Sequence, residues 1–179
     1  MNTIMICGDC GERILTKTIV RSCSHYGNVM TINGGSVNCL SGHPDFLIIS
    51  MNAVCDIDCE GILVFGEALC QVPETVCIKK VCAVTDQENT DALSVIRQSG
   101  IPAVGCSMSG KASVSLSCFN GMSGLLSVQR KLLTIGKRVI EPCEIRLTAN
   151  NPIEVYSALA AGCILLLCDI PYTTGYILS

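Results

Sequence analysis

The first residues whose types and spacing suggest chemistry are Cys7-Gly8-Asp9-Cys10-Gly11-Glu12-Arg13. They follow a short apolar run, so the pattern is a strand entering a glycine-rich turn that opens a helix. Such a turn aims free backbone N–H groups and the positive end of a helix at one point, which is where phosphate binds. A working phosphate loop also needs a Lys on the β- and γ-phosphates and a Ser or Thr on Mg2+. Here Glu12 and Arg13 follow Gly11, and Glu12 would put a carboxylate where phosphate should sit. The competing reading, a structural tight turn, needs none of these groups.

Three other constellations are weaker. Cys7-x-x-Cys10 has the spacing of a redox dithiol or half a zinc site. Its partners would have to come from Cys55 and Cys59, or from Cys77 and Cys82, and none of these repeats the two-residue spacing. With fourteen cysteines in the chain, one such pair is expected by chance. His25 and His43 have no carboxylate or Cys partner by spacing and read as surface residues. Asp56, Asp58 and Glu60 cluster with Cys55 and Cys59; they suit a hard cation, or equally a solvated loop.

The elements that must position these groups alternate. Residues 3–7, 28–32, 45–50, 61–65, 81–84 and 101–105 read as strands, several of them continuously apolar, as strands buried on both faces are. Residues 12–24 and 86–99 have helical spacing, with Gly100 as a C-cap and Pro102 beyond it. Strands alternating with helices imply right-handed crossovers and a parallel sheet. Residues 112–118, 124–130 and 139–147 instead alternate polar and apolar, as antiparallel strands do. Residues 152–167 read as a buried helix with Asn151 as N-cap and Pro152 at the first position. The expected fold class is therefore α/β, a mostly parallel sheet flanked by helices in a Rossmann-like three-layer arrangement, with a small antiparallel sub-sheet in the C-terminal third. The expected organisation is a single domain over residues 1–179, with a parallel core (1–110), the antiparallel part (111–148) and a core helix (149–170).

Composition bounds the function. The chain has 179 residues, 49% of them apolar, which is enough for one substantial core. A formal net charge of -3 offers no basic field for nucleic acid, and with no Trp and few aromatics there is little for bases to stack on. The N-terminus has no basic, cleavable leader, and the apolar run 156–168 is too short to span a bilayer. The expectation is no membrane and a cytoplasmic location, where cysteines inside apolar segments are small hydrophobes in a reducing medium.

The order of motifs resembles the central, ATP-binding domain of the Mur ligases. Val84-Thr85-Asp86-Gln87-Glu88-Asn89 stands where the family has a strand ending in an Asn/Asp motif. A helix follows, then Ile101-Pro102-Ala103-Val104-Gly105-Cys106-Ser107, similar to the family's short strand ending in Gly-hydrophobic-Ser. An antiparallel region and Ile153-Glu154-Val155-Tyr156-Ser157-Ala158-Leu159-Ala160-Ala161 come next, the latter like the family's His-Asn-x-x-Asn-Ala-Leu-Ala-Ala helix. The resemblance runs from residue 1 to about 170. It covers the central domain alone, without the flanking domains for the acceptor and for the incoming amino acid.

The resemblance implies a ligase that makes an acyl phosphate from ATP and then joins it to an amine. Its catalytic residues are replaced one by one. Gly8 and Gly11 match the phosphate loop, but Glu12 stands for its Lys and Arg13 for its Mg2+-binding hydroxyl. Ser50 stands where a strand ends in a Mg2+-binding Glu, and Gly66-Glu67-Ala68 where an Asn and an Asp-His pair follow. The stretch that carries a modified Lys in many members is cut down to residues 67–80. Ile153, Glu154 and Ser157 replace the last helix's His, Asn and Asn. Phosphoryl transfer is mostly positioning and charge neutralisation, so these losses together remove the chemistry. The expectation is a degenerate, non-catalytic domain with no cofactor and no metal, acting as a binding or assembly module through a protein partner or as a homo-oligomer. Glu12 and Arg13 would pair with each other in the vacated phosphate position. Gly8, Asp9, Cys10, Gly11, Glu12, Arg13, Thr85 and Asp86 would form the vestigial nucleotide site. The alternatives are a protein that still binds ATP with Mg2+ or a dinucleotide, a ligase subunit completed by another chain, and a cysteine-based metal or redox protein.

Overall fold

The computed structural model describes residues 1–8, 13–39, 42–67, 69 and 75–179. The chain begins with β1 (Asn2–Cys7), α1 (Ile14–Ser24), β2 (Val29–Asn33), β3 (Ser36–Cys39), β4 (Phe46–Met51), β5 (Ile57–Phe65) and β6 (Ile78–Asp86). It continues with α2 (Thr90–Ser99), β7 (Ala103–Ser107), β8 (Val114–Ser117), β9 (Ser123–Val128), β10 (Leu132–Leu133), β11 (Val139–Ile140), β12 (Cys143–Ala149), α3 (Val155–Leu167) and β13 (Tyr176–Leu178).

Eleven of these strands form one sheet in the order β13-β12-β9-β8-β7-β6-β5-β1-β4-β2-β3. From β2 through β8 each neighbour pairs in parallel. β9 is antiparallel to both of its neighbours, β8 and β12. The fold is α/β, as the alternation of elements implies. The antiparallel strands are continuous with the parallel ones, since β8 pairs with β7, while β10 and β11 make a separate two-stranded hairpin. The edge strand β3 escapes a sequence reading because it is only four residues long and follows Asn33-Gly34-Gly35, which reads as the end of a strand.

Two apolar layers hold the sheet. On one face Ile4, Ile6, Phe46, Ile48, Ile62, Val64 and their neighbours pack against α1 and α3. On the other, Met5, Cys7, Leu63, Phe65, Val81 and Ala83 pack against Ala92, Val95 and Ile96 of α2 and against Val54 in the crossover from β4 to β5. Residues alternate between these layers along each strand, as the pleat requires. Every residue of α3 except Val155 is buried, so this helix has no polar side and belongs to the core all round. No helix among the described residues is long and apolar enough to cross a membrane.

Two helix starts differ from expectation. α3 begins at Val155 with Glu154 in the N-cap position, not at Pro152 behind an Asn151 cap. The preceding segment is tied to neighbouring strands instead: the Asn150 N–H donates to Leu178 O at 3.2 Å and the Ile153 N–H to Gly121 O at 2.9 Å. Those bonds hold it extended. α2 begins at Thr90, because β6 runs on to Asp86 and Asn89 then caps the helix, its side chain accepting from the Ala92 N–H at 2.9 Å. Gly100 is left-handed at the C-cap, as its position after the periodic segment suggested.

Candidate functional site

From β1 the chain passes through α1 to β2 and β4 on one side of the sheet, whereas β5, β6 and β7 lie on the other. The crevice above the carboxyl ends of β1 and β5 is therefore the point where the winding reverses, and open α/β sheets bind ligands at such points. Gly8 leaves β1 there with φ +84, a conformation that side chains avoid. Its N–H donates to Met51 O at 3.3 Å, and the Gly66 N–H donates to Cys7 O at 2.7 Å. Three strand ends are thereby stitched together at one place.

Two side chains close the neighbouring end of β5. The Asn89 amide donates to Gly66 O at 2.8 Å while its carbonyl caps α2, so one residue fixes both a strand end and a helix start. The Tyr156 hydroxyl, from the first turn of α3, donates to Phe65 O. Burial holds that phenol well above its ordinary pKa, with Cys106 and Asp86 adding to the effect, so it stays a neutral donor. Sequence reading missed both residues. Both lie in stretches quoted for the resemblance, but the local signals for their roles are slight: an Asn just before a periodic run and a lone polar-tipped aromatic in an apolar helix.

The sequence-proposed site residues divide. Gly8 and Arg13 flank the turn after β1, and Arg13 takes a left-handed backbone (φ 55) at the start of α1 with no side-chain cap. Asp9, Cys10, Gly11 and Glu12 lie outside the described residues, and so does the expected pairing of Glu12 with Arg13. Thr85 and Asp86 sit at the end of β6, one strand beyond β5, about 10 Å across the sheet from β1. Thr85 is fully buried and its hydroxyl turns back to Asp86 O at 3.2 Å. The Asp86 carboxylate accepts from the Glu88 N–H at 2.8 Å. The fold thus brings these residues to one end of the sheet, but both Thr85 and Asp86 are engaged with their own turn.

Two cavities lined by described residues lie away from this crevice. One of about 220 Å³ opens between α1 and the β2–β4 strands, beside Lys17, Arg21, Asn33 and Ser50. A larger one of about 410 Å³ lies at the opposite end of the strands, between Gly61, Lys80, Pro102 and the β10–β11 hairpin.

The remaining candidates resolve simply. The acidic cluster is divided: Asp56 accepts from the Cys77 N–H at 2.8 Å, and Asp58 pairs with Lys80 at 2.6 Å. Among the described residues no three His, Cys, Asp or Glu side chains are placed to hold a metal ion. His25 and His43 are exposed, as expected. All twelve described cysteines are free. Burial pushes the thiols of Cys7 and Cys82 up to about 11 and that of Cys168 to about 12, so at neutral pH none of these is a nucleophilic thiolate.

No family model matches the sequence, and no curated protein matches it at the sequence level. The solved structures do. The fold is similar to MurF ligase from Thermotoga maritima, determined in complex with ADP, with a TM-score of 0.50 and 13% identity over 92% of this chain and 45% of that one. It is also similar to a UDP-N-acetylmuramoyl-L-alanyl-D-glutamate–2,6-diaminopimelate ligase, with a TM-score of 0.53 and 10% identity over 94% of this chain and 43% of that one. The fold is Mur-ligase-like. At such identities the likeness is one of architecture, and the chain spans under half the length of the ligases it matches.

Proposed function

We propose that this chain is a degenerate Mur-ligase-like domain that acts as a non-catalytic binding or assembly module, through a protein partner or a second copy of itself. The observation that carries this reading is the state of the β5 end. In the resemblance, phosphate and Mg2+ machinery surrounds that crevice. Here Tyr156 and Asn89 spend their polar groups on the carbonyls of Phe65 and Gly66, and β4 contributes Ser50 in place of a carboxylate. The sequence change from a Lys and a hydroxyl to Glu12 and Arg13 runs the same way. Without those cations a developing phosphoryl charge has nothing to neutralise it.

The test is calorimetric titration of the protein with Mg2+-ATP, with a Glu12→Lys variant alongside. A silent wild type and a binding variant support a phosphate loop disabled by charge. Binding by the wild type at micromolar ATP sinks the non-catalytic reading. It would favour the second one, a nucleotide-binding protein or a ligase subunit completed by another chain. That second reading draws on the left-handed Gly8 turn at the switch point and on the ADP in the Thermotoga maritima structure.

A further inference from the structure

A group of sulfur atoms lies beside the candidate nucleotide crevice and has no part in the reading above. Cys7 and Met51 are direct partners on adjacent parallel strands, β1 and β4, so their side chains stand together on one face of the sheet. That is the face crossed by the short connection from β4 to β5. Cys55 sits in this connection, with its Sγ 3.7 Å from the Met51 Sδ. Met51 thus joins the two cysteines, Cys7 beside it through the strand register and Cys55 through this contact. Along the same face of β1, two residues before Cys7, Met5 has its Sδ 3.8 Å from the Sγ of Cys59.

The placement of Cys55 is built, not incidental. Val54 before it is buried in the core layer, and Asp56 after it accepts from the Cys77 N–H. The connection is thus pinned on both sides of the thiol. Cys7 is buried, Met51 half-buried and Cys55 exposed, so the group runs from the core layer out to the surface.

We infer that Cys7, Met51 and Cys55 form a binding site for a soft monovalent metal ion, Cu(I), held by two thiolates and one thioether. Geometry supports it: a metal about 2.3 Å from each of three sulfurs in a plane holds them about 4 Å apart, close to the Cys55–Met51 spacing already present. The donor set supports it as well. Soft sulfur ligands suit Cu(I) and Zn2+, while Mg2+, Ca2+ and Mn2+ want oxygen; Zn2+ takes four ligands from Cys, His and carboxylates, so a three-sulfur set that includes a thioether favours Cu(I). The nearest carboxylate in sequence, Asp56, is committed to a backbone N–H. On binding, two S–Cu bonds replace two S–H bonds, both protons go to solvent, and Met51 donates a lone pair; no electron is transferred. The inference goes beyond the proposed function and stands whether or not nucleotide binds.

The experiment uses whole protein, purified and kept reduced without oxygen, in competition with the Cu(I) chelator bathocuproine disulfonate. The wild type is expected to withdraw a single Cu(I) per chain, with three sulfur neighbours in its X-ray absorption spectrum. Cys55→Ser and Met51→Leu should each weaken binding by at least about tenfold, with melting curves confirming that both variants fold. Cys118→Ser, which removes an exposed thiol elsewhere, should bind as the wild type does. Three results overturn the inference: no competition by the wild type, undiminished binding in Cys55→Ser, or an equal loss in Cys118→Ser. A first shell of nitrogen or oxygen in the spectrum does so too.

Discussion

The two faces of the sheet treat the same residue type in opposite ways. On the face covered by α1 and α3, Cys23, Cys106, Cys163 and Cys168 are sealed in the larger apolar layer. On the face covered by α2 and the β4–β5 connection, Cys7 is buried, but Cys55 and Cys59 beside it reach the surface. The difference comes from what covers each face. α3 is buried on nearly every side and covers the middle of its face, leaving Cys82 and Cys143 there half-buried, whereas the connection after β4 is a few residues of irregular chain that anchors Val54 in the layer. A high cysteine count therefore does not mean one chemistry. Packed under a helix the thiol is a small hydrophobe; carried on the loop, or on the exposed start of a strand, it is accessible.

Thiol labelling at neutral pH tests this contrast most sharply. Cys39, Cys55, Cys59, Cys77 and Cys118 should react with a maleimide in the native state. Cys23, Cys106, Cys163 and Cys168 should react only through opening, slower by on the order of a thousandfold or more. Burial also raises the Cys23 and Cys168 thiols, which lowers the reactive fraction further. Peptide-resolved mass spectrometry separates the two groups. Native labelling of Cys163 at the rate of Cys118 would mean that α3 does not seal its face.

The next largest effect concerns the helices themselves. Ile164 of α3 is fully buried in the larger layer, and the helix packs closely on the sheet nearby: a methyl group at Gly162 would come within 3.2 Å of the Leu126 side chain. A cavity at Ile164 cannot collapse easily, so Ile164→Ala should cost about 4–5 kcal/mol, the upper end for such truncations. Ile96 of α2 is 7% exposed at the rim of the smaller layer, and Ile96→Ala should cost about 2 kcal/mol. Urea unfolding measures both. Equal costs, or the reverse order, would break the comparison between faces.

Much of this architecture was legible in the sequence. The runs around Ile4, Phe46, Ile62 and Ala83 are apolar because those strands are covered on both faces, and that is visible residue by residue. The start of α3 was not legible. The Asn-Pro before it mimics a cap, and the bonds that hold the segment extended come from Gly121 and Leu178, far away in the chain. The candidate site divides in the same way. Gly8 announces its turn, whereas the groups that close the β5 end are long-range: Tyr156 and Phe65 are 91 residues apart. No local pattern encodes a contact of that kind. The sulfur triad has a similar origin, since Cys7 and Met51 meet only through strand register.

Tyr156 ties the sealed face to the candidate crevice, because it leaves α3 to donate to β5. Tyr156→Phe keeps the ring and leaves Phe65 O without its donor, which should cost about 1–3 kcal/mol. If the crevice is vacant for nucleotide, the variant should lose stability without changing the calorimetric response to Mg2+-ATP. A new ATP response in Tyr156→Phe would mean that the phenol occupies a working site.

The smallest effect belongs to the exposed pair between Lys80 and Asp58, at the amino end of the strands. Its side chains are 59% and 58% exposed, so solvent and salt screen it heavily. The hydrogen bond from Lys80, and then its charge, lowers the Asp58 carboxyl; the same contacts raise the Lys80 amine. For the depressed carboxyl, stability is present above its unfolded pKa and is lost as pH falls through the folded value. For the raised amine, stability is present below the unfolded lysine pKa and is lost as pH rises through the folded value. The pair therefore contributes a constant amount between an acid window and an alkaline one. Asp58→Asn should leave the neutral-pH melting temperature nearly unchanged, and 1 M salt should remove what difference there is. Lys80 also has a left-handed backbone (φ 62) beside the bulge where β5 and β6 change register. If the ion pair is what holds that bulge, Asp58→Asn would lower the melting temperature as much as Ile96→Ala does, and salt would not reproduce the loss. That outcome would make the amino end of the strands, rather than the α2 layer, the second structural anchor of this face.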